Sequence, residues 1–184
     1  FNRGQHQLLE FDSNHNFIRE IGQGLFSNPH GLRLDKQGNI WTTDINTHLV
    51  IKFSPKGKVT MVLGKKGTAG KGWFDNDYNV VLFNQPLDVG FDSTNNIYVV
   101  DKENARIVKL DPNGNWIKSW GQPGDKPGEF NFPHSIVIDQ ENRIYIADRE
   151  NKRIQLFSLD GKVLSQWKDI GYPYVMSLSK NTIW

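Results

Sequence analysis

Two histidines stand at matching places in a repeated phrase. His30 lies in Pro29-His30-Gly31-Leu32-Arg33-Leu34-Asp35, and His134 in Pro133-His134-Ser135-Ile136-Val137-Ile138-Asp139. Neutral imidazoles that converge from rigid backbone suit Zn²⁺, which takes three or four N, O or S ligands. The pair supplies two of them; His6, His15 and His48 fall elsewhere in the phrase, and ordinary strand-start residues would explain two aligned histidines equally well. A second matching set follows the Asp that ends a later run of the phrase: Ile45 after Asp44, Lys102 after Asp101, Arg149 after Asp148, and Arg3 after Asn2. Cations around one mouth would attract an anion, and Arg can grip a carboxylate through both arms of its fork. Against that stands a plainer use, as solvated loop charges or as partners of Glu103 and Glu150.

Such residues need a scaffold that repeats. A third copy reads Pro86-Leu87-Asp88-Val89-Gly90-Phe91-Asp92, and a fourth opens at Pro173-Tyr174, so His30, Leu87, His134 and Tyr174 are equivalent positions. Each complete copy holds four short β runs separated by turns such as Pro55-Lys56-Gly57 and Pro112-Asn113-Gly114. The opening prolines are 57, 47 and 40 residues apart. Four antiparallel strands in roughly 40–50 residues describe a β-propeller blade, and an all-β propeller is the expected fold. One domain over 1–184 would comprise a partial blade at 1–28, blades at 29–85, 86–132 and 133–172, and a partial blade at 173–184. That is too little to close a ring with complete blades, so the expectation is an incomplete propeller whose edges are open to association. The first strand of each blade would line a central channel. Trp41, Tyr98, Tyr145 and Trp184 share one position and are expected between blades; Asp101-x-x-Asn104-x-Arg106 and Asp148-x-x-Asn151-x-Arg153 read as turn closures. The long interval after the first copy is a Gly-rich loop, Lys65 to Gln85, carrying Trp73, Phe74 and Tyr78.

Composition narrows the classes. A net charge of +2 gives no footing for nucleic acid or an anionic membrane as partner. No apolar run is long enough for a bilayer-spanning helix, and no signal peptide is visible. Phe1 opens the chain without an initiator Met, which points to an upstream segment. With no cysteine there is no disulfide or thiolate metal site. Hydrolase and phosphate-loop motifs are absent as well.

The stretches Phe1-Asn2-Arg3-Gly4, Pro29-His30-Gly31-Leu32, Pro133-His134-Ser135-Ile136 and above all Ala147-Asp148-Arg149-Glu150-Asn151-x-Arg153-Ile154-Gln155 resemble NHL-repeat propellers. More closely, they resemble the catalytic core of peptidyl-α-hydroxyglycine α-amidating lyases and their bacterial relatives, across nearly the whole chain. The resemblance implies a six-bladed propeller with a channel zinc on three histidines; His30 and His134 match two, and the third would lie beyond Trp184. It implies that Arg3 and Arg149 are catalytic and hold a substrate carboxylate, and that a structural calcium and an extracytoplasmic or secreted location go with the family; Lys102 is a substrate-binding candidate from the repeat alignment alone. The family's catalytic tyrosine should follow the Asp at position 101, but Asp101-Lys102-Glu103-Asn104 is one residue shorter there and has none. Tyr78 is the candidate to reach the site from the long loop. The expected activity is zinc-dependent cleavage of the C–N bond of peptidyl-α-hydroxyglycine, to a peptide amide and glyoxylate, with a small peptide-like or carboxylate ligand in the channel. The competing expectation, favoured by the missing tyrosine, is a non-catalytic NHL module that binds a protein or small ligand on its channel face. A sugar-lactonase-like propeller with a channel calcium would need converging carboxylates at strand starts, and Asp88 alone stands near one.

Overall fold

Apolar runs of five or six residues bounded by Asp, Asn and Gly turns permit only short strands. In the computed structural model they form three four-stranded antiparallel sheets, each built in chain order. The first comprises β3 (Pro29–Leu34), β4 (Ile40–Asp44), β5 (Leu49–Phe53) and β6 (Val59–Leu63). The second comprises β7 (Pro86–Phe91), β8 (Ile97–Asp101), β9 (Arg106–Leu110) and β10 (Trp116–Trp120). The third comprises β11 (Pro133–Ile138), β12 (Ile144–Asp148), β13 (Arg153–Phe157) and β14 (Val163–Lys168). Two-stranded hairpins flank them, β1 (Leu9–Phe11) with β2 (Phe17–Glu20), and β15 (Leu178–Ser179) with β16 (Thr182–Ile183). The structure describes residues 1–72, 81–179 and 182–184, so Trp73, Phe74 and Tyr78 lie outside the described residues.

The core lies between sheets. Trp41, Val50 and Leu63 of the first sheet pack on Val89, Ile97 and Val99 of the second, with Phe83 from the connecting loop. Tyr98, Val100 and Ile107 pack in turn on Ile136, Ile144 and Ile146 of the third. The flanking hairpins close both ends of the stack: Leu8 and Ile21 against Leu49 and Ile51, and Met176, Leu178 and Ile183 against Val137 and Tyr145. Strands β8, β9, β12 and β13 are therefore buried at every position, whereas β6 and β14 are mostly exposed and β10 is exposed or half-buried up to its last residue. The position shared by Trp41, Tyr98, Tyr145 and Trp184 behaves unevenly. The first three are buried, but Trp184, which follows β16, is 75% exposed.

The buried carboxylates inside this stack are engaged in pairs or turns. The Asp148 carboxylate, fully buried, accepts from Asn131 N at 2.8 Å, Asn151 Nδ2 at 2.9 Å and Arg153 Nε at 2.7 Å. Arg153 spends its other donors on the Lys126 and Glu129 carbonyls, which fixes the preceding loop. Asp101, Asn104 and Arg106 repeat the arrangement one sheet earlier. Breaking such a buried pair leaves a guanidinium uncompensated. Asp148→Ala is expected to cost about 3–5 kcal/mol of stability, read as a lower midpoint in urea unfolding.

A second Asp recurs at the turn after each first strand. Asp92 is buried, which by itself would raise its pKa. Hydrogen bonds from Asn96, Thr94 and Tyr98 outweigh that burial and hold the carboxyl below the ordinary Asp value. Asp35 and Asp139 are lowered in the same way. A depressed folded-state pKa contributes stability that is complete above the unfolded value and is lost as pH falls through the folded one. The stability difference between wild type and Asp92→Asn should thus be larger at pH 7 than at the acid end of the folded range, which paired denaturant titrations would measure.

Candidate functional site

Each first strand begins with an irregularity that ladder pairing alone would not produce. Pro29 pairs with Asp44, Pro86 with Asp101 and Pro133 with Asp148, and after each proline the register slips. The residues that drop out of the ladder include His30, Leu87 and His134, the equivalent positions of the repeat. A bulge of this kind re-aims a side chain. Here both imidazoles turn toward one cavity of about 420 Å³, lined also by Arg33, Leu87, Asp88, Ser135, Tyr174 and Val175.

The His30 and His134 rings meet edge to face with centroids 5.0 Å apart. Nδ1 of His30 lies 3.0 Å from the Leu87 carbonyl oxygen. A carbonyl only accepts, so Nδ1 carries the proton and Nε2 keeps its lone pair free for the cavity. The same carbonyl accepts from Thr43 Oγ1 at 2.9 Å, and Thr43 Oγ1 accepts from Gly31 N at 2.8 Å, which pins the bulge. His134 differs, since its Nδ1 is buried without a hydrogen-bond partner. Burial holds the His30 imidazole below its ordinary value; the Leu87 carbonyl opposes this, and the charges of Arg3 and Lys102 reinforce it. Burial and then His30 itself lower His134, with the Tyr174 backbone opposing and Arg149 reinforcing. Both rings are thereby biased to the neutral, metal-ligating form. They offer a divalent metal two nitrogen ligands; among the described residues no group of three or more His, Cys, Asp or Glu gathers as a metal site.

The three cations named from the sequence reach the histidines' surroundings in different states. Arg3 is exposed, close enough to disfavour protonation of His30. Lys102 is tied down: it donates to Gln85 Oε1 at 2.8 Å, pairs with Glu103, and sits 4.4 Å from the Phe132 ring centroid. Arg149 pairs with Glu150 at 3.0 Å and donates to the Tyr174 hydroxyl, lying 4.1 Å from that ring's centroid and 5.0 Å from that of Phe132. Its Nε is buried and has no partner.

Two aromatic residues complete the rim. Phe132 stacks on His134 at 5.9 Å with rings 16° apart, and Tyr174 meets His134 edge-on at 5.3 Å. Phe132 holds a φ of 61°, a left-handed value uncommon for an aromatic residue; Gln85, which also precedes a strand-opening proline, has 57°. Both thus hold their side chains against Lys102. Tyr174 was legible as the fourth member of the His30 set. Phe132 carried no sequence signal beyond its place before Pro133, and Arg33 with Asp88 could have been noticed as opposite charges in inner strands that are otherwise apolar.

Comparison with known proteins agrees with this architecture. The model of the family described as 6-bladed beta-propeller matches residues 80–182. The chain belongs to this family. An NHL repeat is matched at residues 26–53. Among curated proteins, the peptidyl-glycine alpha-amidating monooxygenase of Mus musculus is 39% identical over 131 residues, which cover 66% of this chain and 13% of the mouse protein. A probable peptidyl-alpha-hydroxyglycine alpha-amidating lyase of Caenorhabditis elegans is 39% identical over 100 residues, covering 53% of this chain and 27% of the nematode protein. The chain therefore spans a minor part of the length of these relatives. A streptogramin B lyase structure superposes with a TM-score of 0.69 at 16% identity, covering 99% of this chain and 55% of that one, a likeness of fold. By sequence similarity the chain is thus a lyase-like NHL propeller.

The bulge has little room to spare. A Cβ on Gly31 would stand 2.5 Å from the Leu87 carbonyl oxygen and 2.8 Å from Thr43 Oγ1. Gly31→Ala is expected to cost about 1–3 kcal/mol as an overpacked site and to displace the His30 ring, seen as a changed ring signal in NMR spectra.

Proposed function

We propose that this propeller is a zinc-dependent lyase that cleaves the C–N bond of a C-terminal α-hydroxyglycine, releasing a peptide amide and glyoxylate. The observation that carries the reading is the pair of imidazoles biased to the neutral form, 5.0 Å apart, beneath a rim of cations. The similarity to amidating lyases supports it independently. His30, through Nε2, and His134 would hold the zinc, with a further ligand from outside the described residues. Bound zinc would lower the pKa of the substrate hydroxyl and so ease loss of its proton.

The remaining chemistry falls to the chain's own groups. Arg149 and Arg3 would bind the carboxylate that becomes part of glyoxylate, and fork-to-carboxylate pairing would orient the carbon between hydroxyl and nitrogen. Loss of the hydroxyl proton sends its electron pair into a new C=O bond as the C–N bond breaks, and the departing amide nitrogen takes up a proton. Tyr174, hydrogen-bonded to Arg149 beside His134, is an acid–base group within the cavity wall and could move that proton. It stands apart from the segment after Asp101, where the family resemblance calls for a tyrosine. Lys102, held by Gln85, Glu103 and Phe132, serves the rim more as a fixed positive charge than as a mobile ligand.

The zinc-loaded protein should release glyoxylate from a peptidyl-α-hydroxyglycine, and His134→Ala should abolish both zinc uptake and release. Tyr174→Phe should slow turnover by roughly 10²–10⁴-fold while zinc remains bound. A wild-type protein that neither binds zinc nor forms glyoxylate would sink the proposal and leave a non-catalytic NHL module.

A further inference from the structure

We infer that Asp88 is the positioning residue that sets the spacing of the two imidazoles, by joining the two strands that carry them. It lies on β7, between β3 with His30 and β11 with His134, and is 4% exposed. Toward β3 its carboxylate takes both arms of the Arg33 fork, Nε to Oδ1 at 2.8 Å and an Nη to Oδ2 at 2.5 Å. Toward β11 its Oδ2 accepts from Ser135 Oγ at 2.9 Å and from Ile136 N at 3.0 Å. Its own strand contributes Val89 N to Oδ1 at 2.9 Å. The knot continues into the next segment, where Arg33 donates to the Met176 carbonyl at 3.1 Å and Met176 N donates to Ser135 Oγ at 3.0 Å.

Geometry separates this knot from the other buried Asp–Arg pairs. Asp148 with Arg153, and Asp101 with Arg106, bind residues of their own sheet and the loop that precedes it. Asp88 instead spans three sheets and lines the histidine cavity itself. It also acts one residue from each ring's own constraint. Leu87, whose carbonyl orients His30, precedes Asp88, and Ser135, which Asp88 binds, follows His134. Apolar packing between β3, β7 and β11 is non-directional and tolerates small slides along the strands. Bidentate and charge-assisted bonds do not tolerate them, so the carboxylate supplies the register that packing leaves loose.

The metal-affinity part of this inference rests on the zinc reading; the ring-position part does not. The test combines histidine-ring ¹⁵N–¹H spectra of the metal-free protein with zinc affinity measured by competition with a chromophoric chelator. Asp88→Asn preserves volume but loses the charge that holds Arg33. It should move both ring signals, mix the His30 tautomers, and weaken zinc about 10–100-fold, as loss of a supporting residue does at other metal sites. Ser135→Ala keeps the Arg33–Asp88 pair and should move the His134 signals while leaving those of His30 in place. If Asp88→Asn lowers only the thermal midpoint, with ring signals and zinc affinity as in wild type, Asp88 is a structural tie and the inference fails. Should Asp88→Asn not fold, Ser135→Ala decides alone, and unmoved His134 signals overturn it. If wild type takes up no zinc, the proposed function falls while the metal-free ring signals still judge Asp88.

Discussion

Strands β8 and β12 are covered on both faces because a neighbouring sheet or hairpin lies against each. Burial of apolar side chains from these strands is the interaction on which the rest of the molecule depends. It stacks the sheets side by side and brings three first strands together around one cavity. It also demands partners for the polar groups within the stack, because an unpaired one is costly. The repeated Asp-x-x-Asn-x-Arg motif answers that demand. In the second and third sheets the carboxylate that ends the second strand closes the turn beneath it, and the arginine carries the tie to the loop that precedes the sheet.

Once the sheets are stacked, the first strands differ from the others in one respect. Each slips register directly after its proline, and the residue released from the ladder points into the cavity. A single local device, repeated, thus produces a site whose chemistry depends only on which side chain occupies the released position. Histidine stands there twice, leucine once, and tyrosine at the matching position of the last copy. Leucine is not idle: its carbonyl, freed by the same slip, selects the tautomer of His30.

The rim shows how like charges are kept close. Lys102 and Arg149 repel one another, yet both lie near the Phe132 ring, whose negative face attracts cations, and each has an adjacent glutamate. Phe132 holds this place with a backbone angle that few aromatic residues adopt, at a cost that the packed surroundings must offset. Such local strain is common where a side chain must be presented to a ligand. The unpartnered Nε of Arg149 and Nδ1 of His134 belong to the same small region, whereas the indole Nε1 of Trp120, also without a partner, lies in the core between the second and third sheets.

The repeat made the all-β propeller architecture, the order of strands and the equivalence of His30 with His134 legible from the chain alone. Those features follow from hydrophobic period, turn residues and spacing, which are properties of neighbouring residues. The Asp–Asn–Arg turns were legible for the same reason, since their partners lie within a few positions of one another. What depended on the tertiary structure was everything that joins residues far apart: the fork of Arg33 on Asp88, the Leu87 carbonyl on His30, and the stacking of Phe132 between His134 and two cations. These contacts cross from sheet to sheet, and their geometry is set by how the apolar faces settle against one another. No local pattern records that distance, so the sequence could name the histidines and the cations but not which groups hold them in place.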